Sequence, residues 1–363
     1  GFSFGDREVQ NLRQITGNKL LVRALKEEGV DTLFGYPGAC TIDISDELYK
    51  QDEIRVILPR HEQALVHEAD AYARTTGKVG VCLVTSGPGA TNLVTGLATA
   101  NYDSVPLVCF TGQVARPLIG NDAFQEVDIV GITRSITKYG VTVRKREDLG
   151  RIIKEAFYIA NTGRKGPVLI DIPIDIQNAT IKNFHYPEEV NLRTYKPTVK
   201  GHAVQIKKVI KELERAKRPI ICAGGGVLLS EAEEELRSFA EEHGIPVVST
   251  MMGIGVMPTE HPLYYGMVGN NGKTYANRAM NESDLLIMVG ARVADRAVSQ
   301  PDLITRNKVL VHIDVDPAEI GKNAGPSIPL VGDAKHIFQD FQKEEFDCNY
   351  EEWLTTLNEY RST

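Results

Sequence analysis

The sequence has 363 residues with a formal net charge of −7, and 42% of its residues are hydrophobic and 25% charged. Such a composition is typical of a globular protein of roughly two or three domains. Its acidic balance argues against nucleic acid or an anionic membrane as the main partner, and no apolar run approaches the ~20 residues of a membrane span. The five scattered cysteines form no C-x-x-C pair, which favours a reduced, cytoplasmic protein over a disulfide framework or a zinc site.

The first part of the chain, 12–178, alternates strand and helix patterns. Near-continuous apolar strands separated by helices indicate a parallel sheet that is covered on both faces. We therefore expect an open α/β domain with a mostly parallel sheet of around six strands. The predicted strands are 31–35, 53–58, 79–84, 106–110, 138–143 and 167–172, and the predicted helices are 17–29, 41–50, 60–77, 90–101 and 147–161.

A second open α/β domain is predicted at 201–345, after a segment of mixed composition. That segment, 179–200, has two prolines, mixed charges and no sustained period, which predicts an interdomain linker. The segment 335–363 predicts a mostly polar helix, and its last residues, 346–363, predict a tail toward a missing C-terminal domain. Within the second domain the predicted strands are 219–223, 246–249, 284–290 and 308–313, and the predicted helices are 202–215 and 230–243.

A charged residue, Glu62, stands in the first turn of the predicted helix 60–77. Val66, Ala69 and Ala73 follow it at i+4, i+7 and i+11, so these small residues share its helix face. The sequence thus predicts a carboxylate that points toward the apolar side of its own helix. A first-turn Glu that complements the helix dipole is the structural alternative, but it does not explain the inward direction.

Two glycine-containing turns follow predicted strands, GYPGAC at 35–40 and TSGPGATN at 85–92. Glycine lets the backbone approach a ligand closely, and a helix N-terminus offers free N–H groups. Both turns lie at carboxyl ends of strands, where open α/β sheets bind ligands, and Glu62 should face the same crevice. Each turn alone could equally be a tight strand-to-helix connection. GNDAFQE, at 120–126, is typical of a plain loop when taken alone.

The second domain has four loops of similar kind. In ICAGGGVLLS the dinucleotide fingerprint G-x-G-x-x-G fails, because Leu229 takes the third position after Gly224 and Gly226, which disfavours a Rossmann NAD site. VGARVADR, HIDVDPAEIGK and VGDA also follow apolar strands. Together the loops suggest a long ligand laid across the strand ends. The histidines make no H-x-x-x-H or H-E-x-x-H spacing, which disfavours metal catalysis.

The motifs GYPGA, PRHEQALVHEADAYAR, TSGPGATN, FTGQV, IGNDAFQE, TRSITK and RKGPVLIDIPIDIQ occur in one order, followed by AGGGVLLS, MMGIGVMP, VGAR and HIDVDPAEIGKN. Together they resemble the acetohydroxyacid synthase (acetolactate synthase) large-subunit family of thiamine-diphosphate enzymes, over about residues 12–345. The resemblance implies a pyrimidine-binding domain followed by an FAD-binding domain. It also implies a carboligase (a transferase) of branched-chain amino-acid biosynthesis, which condenses two pyruvates, or pyruvate and 2-oxobutyrate, with loss of CO2.

The resemblance assigns roles to individual residues. Glu62 would hydrogen-bond N1′ of the aminopyrimidine and favour the tautomer that removes the proton from thiazolium C2, with Gln125 as the second catalytic residue. Thiamine diphosphate would also contact Gly87, Pro88, Asn92 and Phe124. FAD would contact Arg164, Gly224, Thr250, Met251, Gly266, Met267, Gly290, Ala291, Arg292, Asp295, Arg296, Asp314, Val315, Asp333 and Ala334.

The sequence departs from the family pattern at four positions and at its end. The positions are Val268, where His is usual, Ala294, where an acidic residue is usual, Ala115, where Pro is usual, and Cys40, in place of a small residue. The family holds Mg2+ and the diphosphate in a third domain, through G-D-G and a downstream Asn. Gly332-Asp333 followed by Asn358 imitates that spacing, but Ala334 breaks the motif. We therefore expect no metal ligand in this chain, and no activity from it alone.

The resemblance also implies partners, namely a second copy in a homodimer or higher homo-oligomer and a regulatory small subunit. Two other functions stay open. One is a flavin-free 2-oxoacid decarboxylase or acyl transferase, which the absence of flavin absorbance would reveal. The other is a non-catalytic nucleotide-binding or assembly subunit, which a reading frame continuing into a G-D-G…N segment would exclude.

Overall fold

A computed structural model describes residues 12–293 and 304–362. The chain divides into two compact units, and the division between Tyr195 and Lys196 falls inside the predicted linker 179–200. Each unit contains a six-stranded sheet whose neighbouring strands are all parallel, which confirms the predicted α/β fold class. Within the described ranges, no helix combines the length and the apolar character needed to cross a membrane.

The first unit follows the predicted order of elements. Its strands are β1 (Leu12–Thr16), β2 (Thr32–Gly35), β3 (Arg55–Ile57), β4 (Gly80–Val84), β5 (Leu107–Gln113), β6 (Tyr139–Thr142), β7 (Pro167–Pro173) and β8 (Thr180–Phe184). Its helices are α1 (Gly17–Glu27), α2 (Ile42–Tyr49), α3 (Glu62–Thr76), α4 (Pro88–Thr91), α5 (Val94–Asp103), α6 (Ile129–Thr133), α7 (Leu149–Asn161) and α8 (Ile174–Gln177). The parallel sheet has the strand order β3-β2-β4-β5-β7-β6.

Both faces of this sheet are buried, which explains why its strands are almost wholly apolar. Side chains alternate between the faces, so along β4 Val81 and Leu83 pack with α1, α2 and α7. Cys82 and Val84 point the other way and pack with α3 and α5. The first unit therefore has two hydrophobic layers, one on each side of its six-stranded sheet.

The segment after α8 differs from the predicted linker at its start. β8 pairs antiparallel with β1, from Leu12 opposite Phe184 to Thr16 opposite Thr180. Ile181 and Phe184 are buried in the core of the first unit, whereas Lys182 is exposed. The prolines and mixed charges of 179–200 concealed this short strand, which is stabilised by its ladder and by two buried side chains.

The second unit has the strand order β11-β10-β9-β12-β13-β14. Its strands are β9 (Pro219–Ala223), β10 (Val247–Ser249), β11 (Tyr264–Met267), β12 (Leu285–Val289), β13 (Val309–Asp314) and β14 (Ile328–Val331). Its helices include α9 (Ala203–Arg215), α10 (Gly225–Leu229), α11 (Glu233–His243), α12 (Thr274–Glu282), α13 (Ala334–Phe341) and α14 (Glu351–Ser362). The sequence patterns missed β11 and β14. Both are four-residue edge strands, and the edge position of β14 tolerates Pro329, which has no N–H to donate.

The C-terminal segment is helical, as its sequence predicts, but 346–362 is part of the second unit and not a separate tail. Helix α14 packs on the second unit and buries Trp353 and Leu357. The Trp353 indole N–H donates to the Pro219 carbonyl at 3.0 Å, and the Tyr265 hydroxyl donates to Asn358 Oδ1 at 2.9 Å. The polar character of the segment reflects its exposed face, while two large apolar residues one turn apart anchor the helix.

Candidate active site

A crevice is expected where β2 and β4 lie side by side. The chain runs from β2 to β3 on one side and then crosses to β4 on the other, so the connections diverge at the carboxyl ends of β2 and β4. The loops GYPGAC and TSGPGATN leave the sheet at this point and contact each other. Cys40 N donates to Thr85 Oγ1 at 3.2 Å, and a Cβ on Gly38 would lie 2.4 Å from Thr85 Cβ. A side chain at Gly38 would therefore push the two loops apart.

Glu62 is the first residue of α3, as the sequence predicted. His61 caps the helix, since its Nδ1 accepts from Gln63 N at 3.0 Å. The Glu62 side chain is half-buried, and its Oε2 accepts a hydrogen bond from Asn92 Nδ2 at 3.0 Å. Among the described residues, none donates a hydrogen bond to Oε1. One carboxylate oxygen is thus held by the protein while the other is available to a ligand.

Glycines keep the space beside this carboxylate open. A Cβ on Gly89 would lie 2.8 Å from Thr85 Cγ2 and 3.5 Å from Glu62 Oε1. Gly87 has a φ of 61°, in the left-handed region that favours glycine, and a Cβ there would lie 2.6 Å from Gln125 O. Pro88 then begins α4. The cradle next to Oε1 fits a flat ring with a nitrogen that can bond a carboxylate.

Gln125 and Phe124 arrive from a different part of the chain. Gln125 has a φ of 58° and packs against Gly87, while the Phe124 side chain is 85% exposed. The structure therefore gathers Gln125 and Gly87 at one end of β4, and Glu62 and Asn92 beside them. Phe124 projects from the same segment into solvent.

A buried carboxylate near this crevice was missed by sequence reasoning. Asp171, in β7, is 1% exposed and accepts from Thr111 Oγ1 at 2.7 Å, Gln113 Nε2 at 3.1 Å and Thr142 Oγ1 at 3.0 Å. Burial raises the pKa of Asp171 to about 6, although the three donors oppose this and the nearby charge of Asp128 adds to it. A charged residue inside the apolar strand VLIDI was the signal that could have found it.

In the second unit the corresponding point lies between β9 and β12, the first strand and the strand that follows the crossover. Here two glycine loops meet backbone to backbone. Gly224 N donates to Val289 O at 2.8 Å, and Gly226 N donates to Gly290 O at 2.9 Å. A Cβ on Gly224 would lie 2.3 Å from Gly290 O. The glycines are therefore required for loop packing, whatever else they bind.

The other residues that the resemblance assigned to FAD follow the remaining strands. Because all six strands are parallel, these residues lie together at the carboxyl ends of the strands. They are Thr250 and Met251 after β10, Gly266 and Met267 at the end of β11, Ala291 and Arg292 after β12, Asp314 and Val315 at the end of β13, and Asp333 and Ala334 after β14. This arrangement can receive an extended ligand, and Met251, an apolar residue in it, is 64% exposed.

Three of the predicted residues stand apart from this set. Asp295 and Arg296 lie outside the described residues, as does Ala294. Arg164 belongs to the first unit, where its Nε donates to Ser104 Oγ at 3.0 Å.

A buried histidine, His312, supports the loop after β12. Its Nε2 lies 3.0 Å from the Ala291 carbonyl oxygen, while Nδ1 has no hydrogen-bond partner among the described residues. Burial lowers the pKa of the His312 imidazole, so the ring is neutral near pH 7. Neutral imidazole has one donor, so Nε2–H holds the carbonyl and Nδ1 remains an acceptor.

The two residues that imitate a metal motif have other partners. Asp333 caps α13, where its Oδ2 accepts from His336 N at 3.3 Å, and Asn358 accepts from Tyr265. In the part of the chain that the structure describes, no group of three or more His, Cys, Asp or Glu is placed to hold a metal ion.

Two family models match the chain, one in each unit. The model described as "Thiamine pyrophosphate enzyme, N-terminal TPP binding domain" matches residues 15–132, which include Glu62, Asn92 and Gln125. The model described as "Thiamine pyrophosphate enzyme, central domain" matches residues 206–341, which include all six strands of the second sheet.

Curated relatives are similar over nearly the whole chain. The chain is 46% identical to the acetolactate synthase large subunit of Haemophilus influenzae, over 97% of this chain and 62% of that relative. It is 49% identical to the probable acetolactate synthase large subunit of Methanocaldococcus jannaschii, over 89% of this chain and 55% of that relative. It is 48% identical to the acetolactate synthase large subunit of Corynebacterium glutamicum, over 89% and 52%. The chain thus spans 62% or less of the length of these three relatives.

Proposed function

We propose that this chain, which belongs to the thiamine pyrophosphate enzymes, supplies the pyrimidine-binding and central domains of an acetolactate synthase. The observation that carries the proposal is the Glu62–Asn92 pair at the diverging ends of β2 and β4, within the domain matched as TPP-binding. A carboxylate with one free oxygen beside a glycine cradle suits a ring nitrogen that must gain and lose a proton.

Different residues of this chain have different roles at the cofactor and at the substrate. When bound, thiamine diphosphate supplies the nucleophilic carbon that attacks a 2-oxo acid. Asn92 occupies Glu62 Oε2, so Oε1 is the oxygen that holds a proton at N1′ of the aminopyrimidine. Gly87 and Gly89 leave room for the ring, and Gln125 borders the entrance for the substrate.

FAD is the proposed ligand of the second unit. An extended dinucleotide would lie along the carboxyl ends of the six parallel strands. There it would meet the loops in which Gly224 and Gly226 contact Gly290, and the residues that follow the other four strands. The condensation involves no net redox change, so the flavin would have a structural role. Val268, in place of the usual His, is buried and leaves an apolar contact at that position.

The substrates follow from the similarity to acetolactate synthases. We propose pyruvate as donor, and pyruvate or 2-oxobutyrate as acceptor, in a cytoplasmic homodimer or larger homo-oligomer with a regulatory small subunit. Mg2+ would bind with the diphosphate in a third domain, as the resemblance implies. Residues 1–363 alone would then be inactive, since charged phosphate groups anchored through a divalent cation provide the strongest attachment of the cofactor.

The test compares the 363-residue chain with the complete protein that contains it. Both are incubated with pyruvate, thiamine diphosphate, Mg2+ and FAD, and acetolactate is measured. We expect acetolactate from the complete protein and none from the 363-residue chain. Acetaldehyde as the main product would instead favour a decarboxylase, and flavin-independent turnover would contradict the assignment of FAD.

A further inference from the structure

One buried amide holds both ends of the segment 114–127. Gln113, the last residue of β5, is 3% exposed. Its Oε1 accepts from Val114 N at 2.9 Å, and its Nε2 donates to Val127 O at 3.1 Å. The chain therefore leaves β5 and returns to the same side chain before α6 begins.

Asp171 fixes the orientation of that amide. Its Oδ2 accepts from Gln113 Nε2 at 3.1 Å, so both hydrogens of the NH2 group have acceptors, one on Asp171 and one on Val127. Thr111 and Thr142 stand opposite Asp171 on the two flanking strands, and their hydroxyls hold the carboxylate in turn. A rotated amide would place its oxygen against the carboxylate, so the orientation is determined.

The segment that begins and ends at Gln113 carries Phe124 and Gln125. Within it, Asn121 Nδ2 donates to Pro117 O at 2.9 Å and Glu126 N donates to Ala123 O at 3.1 Å. These are local contacts that shape the segment without attaching it to the sheet. Attachment comes from Gln113 at both ends, from the contact of Gln125 with Gly87, and from Arg116, which pairs with Asp175 at 2.6 Å and donates to Arg144 O at 2.5 Å.

We propose that Gln113, oriented by Asp171, is a positioning residue that holds Gln125 at the crevice beside Gly87. Hydrogen bonds in a buried network are strong, and a buried group left without its partner costs about 1–3 kcal/mol. Loss of the amide would therefore release the segment. The attachment is independent of the proposed function, whereas its consequence for turnover rests on that function.

The first experiment measures hydrogen–deuterium exchange in the complete protein without ligands. Gln113→Met keeps the size of the side chain and removes its three hydrogen bonds, and we expect amides within 118–127 to exchange at least about tenfold faster. Thr142→Val is the matched control, because it removes one donor from the same carboxylate and leaves the amide in place. Equal exchange in Gln113→Met and wild type, or equal acceleration in both variants, would overturn the proposal.

A second pair of variants, at Asp171, tests the same attachment of the segment in case Gln113→Met fails to fold. Asp171→Asn keeps an oxygen that can accept from Gln113, whereas Asp171→Leu does not. We expect the segment to stay protected in Asp171→Asn and to lose protection in Asp171→Leu, with exchange in 219–223 unchanged in both. Equal protection of the segment in the two variants would show that Asp171 does not orient the amide.

Turnover separates this proposal from the proposed function. We expect Gln113→Met to lower kcat for acetolactate at least about tenfold, with Thr142→Val close to wild type. Faster exchange with unchanged kcat would overturn the positioning role. The expected exchange pattern in a protein that makes no acetolactate would support the attachment and contradict the proposed function instead.

Discussion

The two units use the same architecture at their diverging strands but place different chemistry there. Between β2 and β4 the loops contact each other through the Cys40 N–Thr85 Oγ1 hydrogen bond, and a carboxylate and an amide, Glu62 and Asn92, pair beside them. Between β9 and β12 the loops close on each other, and Gly224 and Gly226 contact Gly290 through the backbone. The comparison teaches that topology provides the position of a site, while the side chains at the loop ends decide whether it can move a proton.

The chemistry proposed for the first unit depends on one oxygen, Glu62 Oε1, so the most disruptive change there should be chemical. Glu62→Gln keeps the shape but removes the charge, and we expect turnover of the complete enzyme to fall by about 10²–10⁴-fold with unchanged unfolding. Exchange of the cofactor C2 proton, followed by NMR, measures the step directly. Glu68→Gln, at an exposed position on the same helix, is the control. An unchanged exchange rate in Glu62→Gln would remove the carboxylate from the mechanism.

In the second unit the most disruptive change should be steric. Gly224→Ala would place a Cβ 2.3 Å from Gly290 O and 2.6 Å from Ala291 Cα, and we expect a loss of about 3 kcal/mol in unfolding free energy. Gly325→Ala is the control, since nothing lies within 4 Å of its Cβ. Thermal unfolding and FAD fluorescence quenching are the measurements. Equal stability in the two variants would show that the glycine loops are not tightly packed.

Asp171 gives the first unit a pH dependence through its raised pKa. The folded carboxyl titrates at about 6, against an ordinary value of 3.8, so between these values the folded state holds a proton that the unfolded state has released. Its contribution to stability is therefore full below pH 3.8 and is lost as the pH rises through 6. The loss is at most about 3 kcal/mol.

Asp171→Asn should remove this contribution. We expect the unfolding free energy of the wild type, relative to Asp171→Asn, to decrease between pH 4 and pH 7, as measured by urea denaturation. Asp46→Asn, an exposed carboxylate in α2, controls for general charge effects. A difference that does not change with pH would contradict the raised pKa.

The smallest effect is expected at the partner of Glu62. Asn92→Ala frees Oε2 without removing the carboxylate, and we expect about a tenfold loss in the rate of C2 proton exchange, equivalent to ~1.4 kcal/mol. Asn92→Asp places a second carboxylate there and should cost more. If Asn92→Ala and Asn92→Asp behave alike, Asn92 fills space and does not select the oxygen that meets the ligand.

Sequence patterns predicted most of the fold because buried parallel strands are nearly continuous apolar runs. VGVCLV and PVLIDI became β4 and β7, and the similarity to acetolactate synthase large subunits confirms the motif resemblance. The missed strands were short edge elements or, for β1 and β8, an antiparallel pair distant in sequence. Their pairing depends on long-range contacts, which a local pattern does not contain.

The candidate site was proposed from its glycine loops and Glu62, because each of these has a local signature, and it stays a prediction. The contact of Gln125 with Gly87 and the partners of Gln113 have none. They join residues far apart in the chain, Gln125 with Gly87 by packing and Gln113 with Asp171 by a hydrogen bond. Val127 O accepts from Gln113 Nε2 because the segment 114–127 returns to the residue that precedes it.

The β1–β8 ladder also brings two parts of the first unit that are far apart in sequence next to each other. Because Leu12 lies opposite Phe184, the first and the last described strands of this unit lie side by side, and 185–195 continue from there to the boundary of the unit. If a gene segment that encodes residues 12–184 were inserted, duplicated or exchanged, the two ends of the encoded unit would stay close together. Recombination at the two ends of this ladder would therefore transfer Glu62 together with Gln113 and Asp171, because all three lie between Leu12 and Phe184.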